Sequence, residues 1–303
     1  MTQQSFPWKS LDLQEFETCD NATLYYHYQK AEEDTPMGTI VINLAWTMSP
    51  DVCSPLLLTN SNIKKHYDVY IVTVRGYKKE VTYGNCVDRC AIDLHEFICH
   101  FKIGQFIAMG HSIGVAIWWQ YMLTYGQKPF DKFILLDEMT ALLQNPVNSG
   151  VQNTEYGSIV PVDGLFVAYN TLMQADKEAI DFRNTQILTQ LSLVFQLRHP
   201  NIVCDILEKV NNYGFKSTAQ ILYSNQTNNW IDKLLNNKIN IPTYLFCGKN
   251  SVVPYQSVCY QKQFYTDYRI HVFEGLSSSH FAWMENYEEF NELINNFLKD
   301  NLG

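Results

Sequence analysis

Ser112 sits where a weak nucleophile can be made a working one. It occupies the centre of Gly110-His111-Ser112-Ile113-Gly114, between the apolar run from Phe106 and a helical pattern through Tyr125. A Gly-x-Ser-x-Gly sequence at a strand-to-helix junction puts the hydroxyl at the apex of a sharp bend. Small residues are needed two positions to either side, because the backbones crowd there. The first amides of the following helix then point toward the hydroxyl. A glycine-bounded turn with a buried structural serine is the plainer alternative, and the flanking strand and helix argue against it. A serine hydroxyl still needs a base within hydrogen-bond reach, and the base needs an orienting acid. The base is expected after the last strand, where His280 stands in Gly275-Leu276-Ser277-Ser278-Ser279-His280-Phe281. Alone, it would read as a helix-start histidine bonded to backbone. His271, inside a predicted strand, and His199, before Pro200, are the weaker candidates.

The elements that must hold these residues follow from apolar periodicity. FETC and ATLYYHYQK read as two strands around Asp20-Asn21. The runs 39–46, 67–74, 106–111, 131–137, 241–247 and 269–273 read as further strands, several apolar enough to be covered on both faces. Helices are predicted within 51–63, over 86–101, from Val115 to Tyr125 and over 285–302. This alternation implies an α/β fold, a mostly parallel central sheet flanked by helices. In such sheets chemistry gathers at the C-terminal ends of the strands. From Thr140 to Lys238 the alternation stops. Helical patterns such as Leu188 to Leu197 and Ile202 to Val210 take over a span too long for a loop. The division is therefore a core of 1–139 and 239–303 with an inserted helical cap at 140–238.

Composition narrows the function classes. The 303 residues are 46% apolar and 14% aromatic, enough for a sizeable core. A net charge of −9 argues against nucleic acid or an anionic membrane as partner. No run is long enough for a membrane span, and MTQQSFPWKS lacks the pattern of a signal peptide. Eight scattered cysteines, several in apolar runs, fit free thiols in a reducing cytoplasm. Cys86, Cys90, His95, Cys99 and His100 crowd one predicted helix, but no second ligand pair of zinc-like spacing accompanies them. No metal or cofactor is expected, and the oligomeric state is not legible.

In Gly110 to Gly114, in Gly275 to Phe281 and in its strand order, the chain resembles the α/β-hydrolase superfamily. The resemblance implies Ser112 as nucleophile and His280 as base. It also implies an oxyanion hole from the backbone amides of Ile113 and Trp46. Leu44-Ala45-Trp46 replaces the His-Gly that many members carry in that loop. Most members place the acid after the strand that here is IPTYLFC. Ser251 stands there instead, and no carboxylate occurs between Cys247 and Tyr265. A minority supply the acid from the strand after the nucleophile helix, which implies Asp137, with Glu138 as the alternative. Some features are similar to the cofactor-independent 3-hydroxy-4-oxoquinoline 2,4-dioxygenases: Ala45-Trp46, Val74-Arg75-Gly76, Leu136-Asp137 and Ser279-His280-Phe281. Met48 and Ile113 depart from that pattern. His111, Met48, Glu138, Tyr156, Phe166 and Phe281 are read as substrate-binding residues. The leading expectation is a serine hydrolase for an ester, thioester or lactone of a small apolar or aromatic molecule. A cofactor-free dioxygenase using His280 and Asp137 as base, and a non-catalytic ligand-binding member of the fold, are the alternatives.

Overall fold

A computed structural model describes residues 5–141 and 160–299. Its centre is an eight-stranded sheet in the order β1-β2-β4-β3-β5-β6-β7-β8. The strands are β1 Gln14–Glu17, β2 Thr23–Gln29, β3 Gly38–Asn43, β4 Tyr67–Val72, β5 Phe106–His111, β6 Phe130–Leu136, β7 Thr243–Gly248 and β8 Tyr268–Phe273. β1 and β2 pair antiparallel at one edge. The pairs from β4 through β8 are all parallel. β3 and β5 occupy the middle, where both faces are covered. β5 accordingly contains only buried residues, as parallel central strands require.

Helices cover both faces, thirteen of them among the described residues. The short α1 Ser54–Thr59 and α2 Ser61–His66 divide at Asn60, whose side chain accepts from Ile63 N and caps α2. The single helix predicted within 51–63 is therefore two, preceded by a 3-10 turn at Pro50–Cys53. α3 Val87–His100 and α4 Ile113–Tyr125 follow. α4 is buried from Ile113 through Trp119, nearly all round, as expected of a helix enclosed on several sides.

Between β6 and β7 lie six helices among the described residues: α5 Val162–Gln174, α6 Lys177–Gln190, α7 Leu193–Arg198, α8 Pro200–Val210, α9 Phe215–Thr227 and α10 Trp230–Asn236. The continuous pattern from Leu188 to Leu197 is broken here. Leu191 is extended, and the Ser192 hydroxyl accepts from Phe195 N to start a new helix. After β7 come α11 Tyr255–Tyr260, α12 Ala282–Glu285 and α13 Tyr287–Lys299. The closing helix predicted from Glu285 thus begins after a break at Asn286, whose side chain donates to the Ser277 and Ala282 carbonyls.

Arg75, at the end of the β4 segment, is fully buried. Its Nε and Nη2 reach Asp93 at 2.7 and 2.6 Å, and Asp20 pairs with its other edge. This bidentate pairing ties α3 to the turn before β2.

Candidate active site

The bend at Ser112 is as sharp as the glycine spacing demands. Its φ of 52° and ψ of −126° lie outside the regions open to ordinary residues. Holding that conformation costs on the order of 1–3 kcal/mol, met by the surrounding structure. Ser112 N donates to Leu136 O at 2.9 Å, which ties the bend to β6. A Cβ on Gly114 would lie 2.2 Å from Asn43 O, and one on Gly110 2.8 Å from Val115 N. Both glycines therefore answer a backbone contact. Ile113 is the first residue of α4, so its N–H has no intrahelical acceptor.

Asp137 follows β6 in a second positive-φ conformation, at 51°. Its N donates to Phe246 O at 2.8 Å. The carboxylate collects three donors. His280 Nδ1 lies 2.6 Å from Oδ2, Ser251 Oγ donates to the same oxygen, and Gly248 N reaches Oδ1 at 3.3 Å. Burial raises the Asp137 pKa above the ordinary value, and the bonds from His280, Ser251 and Gly248 oppose that rise. Nδ1 must carry the proton in this pair, which leaves the His280 Nε2 lone pair free to accept.

The loop carrying His280 is pinned from several sides. Asn250 Nδ2 donates to Gly275 O and Ser278 Oγ, and Asn250 N to Ser278 O. Ser279 Oγ donates to Glu285 and accepts from Phe281 N. His111 Nε2 lies 3.0 Å from the His280 carbonyl, so it carries the proton there. Burial holds the His111 imidazole well below its ordinary pKa, hence neutral, and the nearby His280 acts in the same direction.

Ser112 and His280 open onto one cavity of about 340 Å³. Among the described residues, no hydrogen bond joins their side chains; such contacts are often loose before substrate enters. Trp46, Ile113 and Glu138 line the same cavity, with Met139, Phe182, Leu222, Val252 and Val253 supplying apolar wall. Other expected contact residues lie elsewhere. Met48 is fully buried and does not line the cavity, its carbonyl accepting from Tyr213 Oη. His111 and Phe281 are buried behind it, their rings 4.8 Å apart edge to face. Phe166 is half exposed and borders a separate outer groove with Tyr83, Tyr169 and Tyr223, because its side of α5 faces away from the sheet. Tyr156 lies outside the described residues.

Sequence reasoning placed Ser251 only as a replacement for the usual acid and missed its bond to the relocated one. It also missed Asn225 and Gln226 on α9, which line the cavity. The sequence marks them only as part of a glycosylation sequon, Asn225-Gln226-Thr227, since their place in the wall depends on how α9 packs against α5. In the Cys86–His100 stretch, Cys99 Sγ lies 3.5 Å from His95 Nε2, and no group of three or more metal-ligating residues gathers among the described residues. Cys90 is buried, while His95 stacks on Tyr125 at 3.7 Å.

Glu138 is the unusual group. It is 2% exposed. Oε1 accepts from Met139 N at 2.8 Å, whereas Oε2 has no hydrogen-bond partner. Burial pushes its pKa up to about 8; the Met139 N–H and the Asn225 side chain beside the carboxyl oppose the rise, and the Asp137 charge adds a little to it.

Comparison with curated proteins returned no match. Among solved structures the fold is widely shared. An esterase from Exiguobacterium antarcticum superposes with a TM-score of 0.78 at 18% identity, covering 94% of this chain and 99% of that one. A bromoperoxidase from Bacillus anthracis gives 0.77 at 17% identity, covering 95% and 100%. An enol-lactonase from Burkholderia xenovorans gives 0.74 at 12%, covering 92% and 97%. The alpha/beta hydrolase fold family model matches residues 38–298. With the sheet order, the bend at Ser112 and the matched span in agreement, the chain belongs to the alpha/beta hydrolase fold family.

Proposed function

We propose that the protein is a serine hydrolase cleaving an ester, thioester or lactone of a small, largely apolar molecule. The observation that carries this reading is the His280 Nδ1–Asp137 Oδ2 bond of 2.6 Å, beside a cavity that also holds Ser112. Ser112 Oγ attacks the acyl carbon while His280 Nε2 takes its proton. The carbonyl oxygen becomes an oxyanion held by the Ile113 and Trp46 amides. On collapse, the C–O or C–S bond breaks and His280 returns the proton to the leaving group. Water then repeats the sequence on the acyl-Ser112 ester, releasing the acid. Asp137 keeps His280 in the required tautomer and stabilises the imidazolium.

The helices between β6 and β7 act as a cap, since α5, α6 and α9 all contribute wall to the cavity. Eight free thiols support a reducing, cytoplasmic setting. The His280–Asp137 pair would also serve a cofactor-free dioxygenase, which needs a base but no nucleophile. Arg75 belongs to that resemblance, yet it is fully buried in ion pairs and is not among the cavity-lining residues, so the hydrolase reading is favoured.

A fluorophosphonate probe should label Ser112, and S112A should abolish labelling and lower ester turnover by about 10⁴-fold or more. An unlabelled Ser112 points to a binding protein. Oxygen consumption with a 3-hydroxy-4-quinolone that survives S112A points to the dioxygenase.

A further inference from the structure

We infer that the Glu138 carboxyl and the Asn225 amide form a polar subsite in the Ser112 cavity, selecting uncharged substrates that carry a second hydrogen-bond acceptor. This rests on the cavity being the substrate site, as proposed above. Both side chains are more than nine-tenths buried, both line the cavity, and each leaves an oxygen, Glu138 Oε2 and Asn225 Oδ1, without a partner. A buried polar group left unpaired costs about 1–3 kcal/mol, so a ligand that satisfies it gains by doing so.

The charge state of Glu138 decides what it offers. The described lining residues include no lysine or arginine, so nothing neutralises a carboxylate. The groups facing it are Asp137 on its own segment, His280 from the loop after β8, and the uncharged Asn225 and Gln226 from α9. The Gln261 side chain donates to its backbone carbonyl, not to the carboxyl. With its pKa near 8, Glu138 is protonated at neutral pH. Oε1 is taken by Met139 N, so the O–H lies on Oε2, beside the Asn225 side chain, and a ligand acceptor competes with Asn225 for it. A ketone, ester or amide carbonyl satisfies it. An anionic substrate meets no lysine or arginine among the described lining residues.

The test is equilibrium binding to S112A, which does not turn esters over. Three ligand sets are compared by calorimetry: methyl alkanoates, the same esters bearing a ketone moved one carbon at a time along the acyl or alcohol chain, and monoesters of dicarboxylic acids. At pH 7 one ketone position should bind about two- to tenfold tighter than its parent, and the anionic monoesters should bind weakest. Adding E138Q, which keeps a donor, should preserve the preference and extend it above pH 8. Adding E138L should abolish it. The proposal is overturned if no ketone position is preferred, if E138L keeps the preference, or if the anionic monoesters bind as well as the ketones. Fluorophosphonate labelling of the native protein reports separately on Ser112. A failed nucleophile with an intact ketone preference would sink the hydrolase reading and leave the subsite standing.

Discussion

Asp137 is held by more than its histidine. Ser251 stands where most members of this family carry their acid, and its hydroxyl donates to the relocated carboxylate. With Asp137 as the proposed acid, the position stabilises charge supplied from the neighbouring strand instead of supplying it. D137N should lower turnover by about 10⁴-fold, as loss of the carboxylate does in a serine protease. S251A should be milder, about tenfold or less, and should leave a distinct signature. Removing a donor from the carboxylate raises the proton affinity of the Asp137–His280 pair, so the acidic limb of kcat/KM moves to higher pH. A pH profile on a p-nitrophenyl ester checks this. An unmoved limb in S251A would mean that the serine only fills space.

The bend between β5 and α4 works as a unit. β5 sits between β3 and β6, and α4 packs back across β3. Gly114 is where the helix backbone meets β3 at Asn43 O. An added methyl must push α4 off the sheet or tilt it, and either motion moves the Ile113 amide and the Ser112 hydroxyl. G114A should therefore destabilise by about 1–3 kcal/mol or more. It should also slow fluorophosphonate labelling of whatever remains folded. Gly104, in a loop where a Cβ meets nothing within 4 Å, supplies the control. G104A should leave both the urea midpoint and the labelling rate near native. Equal effects at the two glycines would contradict the close-approach account.

Across the whole molecule, two buried groups of the site tie function to stability, with opposite signs. Glu138 has its folded pKa raised from an ordinary 4.5 to about 8. The unfolded chain binds fewer protons there in that window, so stability falls as pH rises from about 4.5 to 8. E138Q is neutral in both states and should remove the slope. Its stability advantage in urea should be absent below pH 4.5 and reach a few kcal/mol at pH 8, at about 1.4 kcal/mol per unit of pKa difference. His111, with its folded pKa depressed, contributes the reverse: the unfolded chain takes up protons below pH 6.5 and stability is lost as pH falls. A pH-independent gap between E138Q and the native protein would show that Glu138 folds without its proton.

Local chemistry was legible in the residues themselves. The glycines flanking Ser112, the apolar strands, and a histidine after the last of them are one-dimensional signals, because turn sterics and strand burial act on neighbours in the chain. The strands came out close to their observed limits for that reason, while the breaks at Ser192 and Asn286 were missed because a cap is one side chain bonding to nearby backbone. Which apolar residues face the cavity could not be read the same way. Phe166 looked like a lid residue and faces outward, whereas Asn225 and Gln226, legible only as part of a glycosylation sequon, line the wall. Cavity walls are set by how α5 packs against α6 and α9, contacts that in the case of α9 join residues far apart in sequence. The sequence alone determined that a serine, a histidine and a carboxylate were available at strand ends. Only the tertiary structure decided that Asp137 rather than Glu138 bonds His280, because the positive φ at Asp137 turns its carboxylate toward Ser251 and His280. Glu138, one residue further on, is left buried in the cavity wall, with no lysine or arginine among the described lining residues.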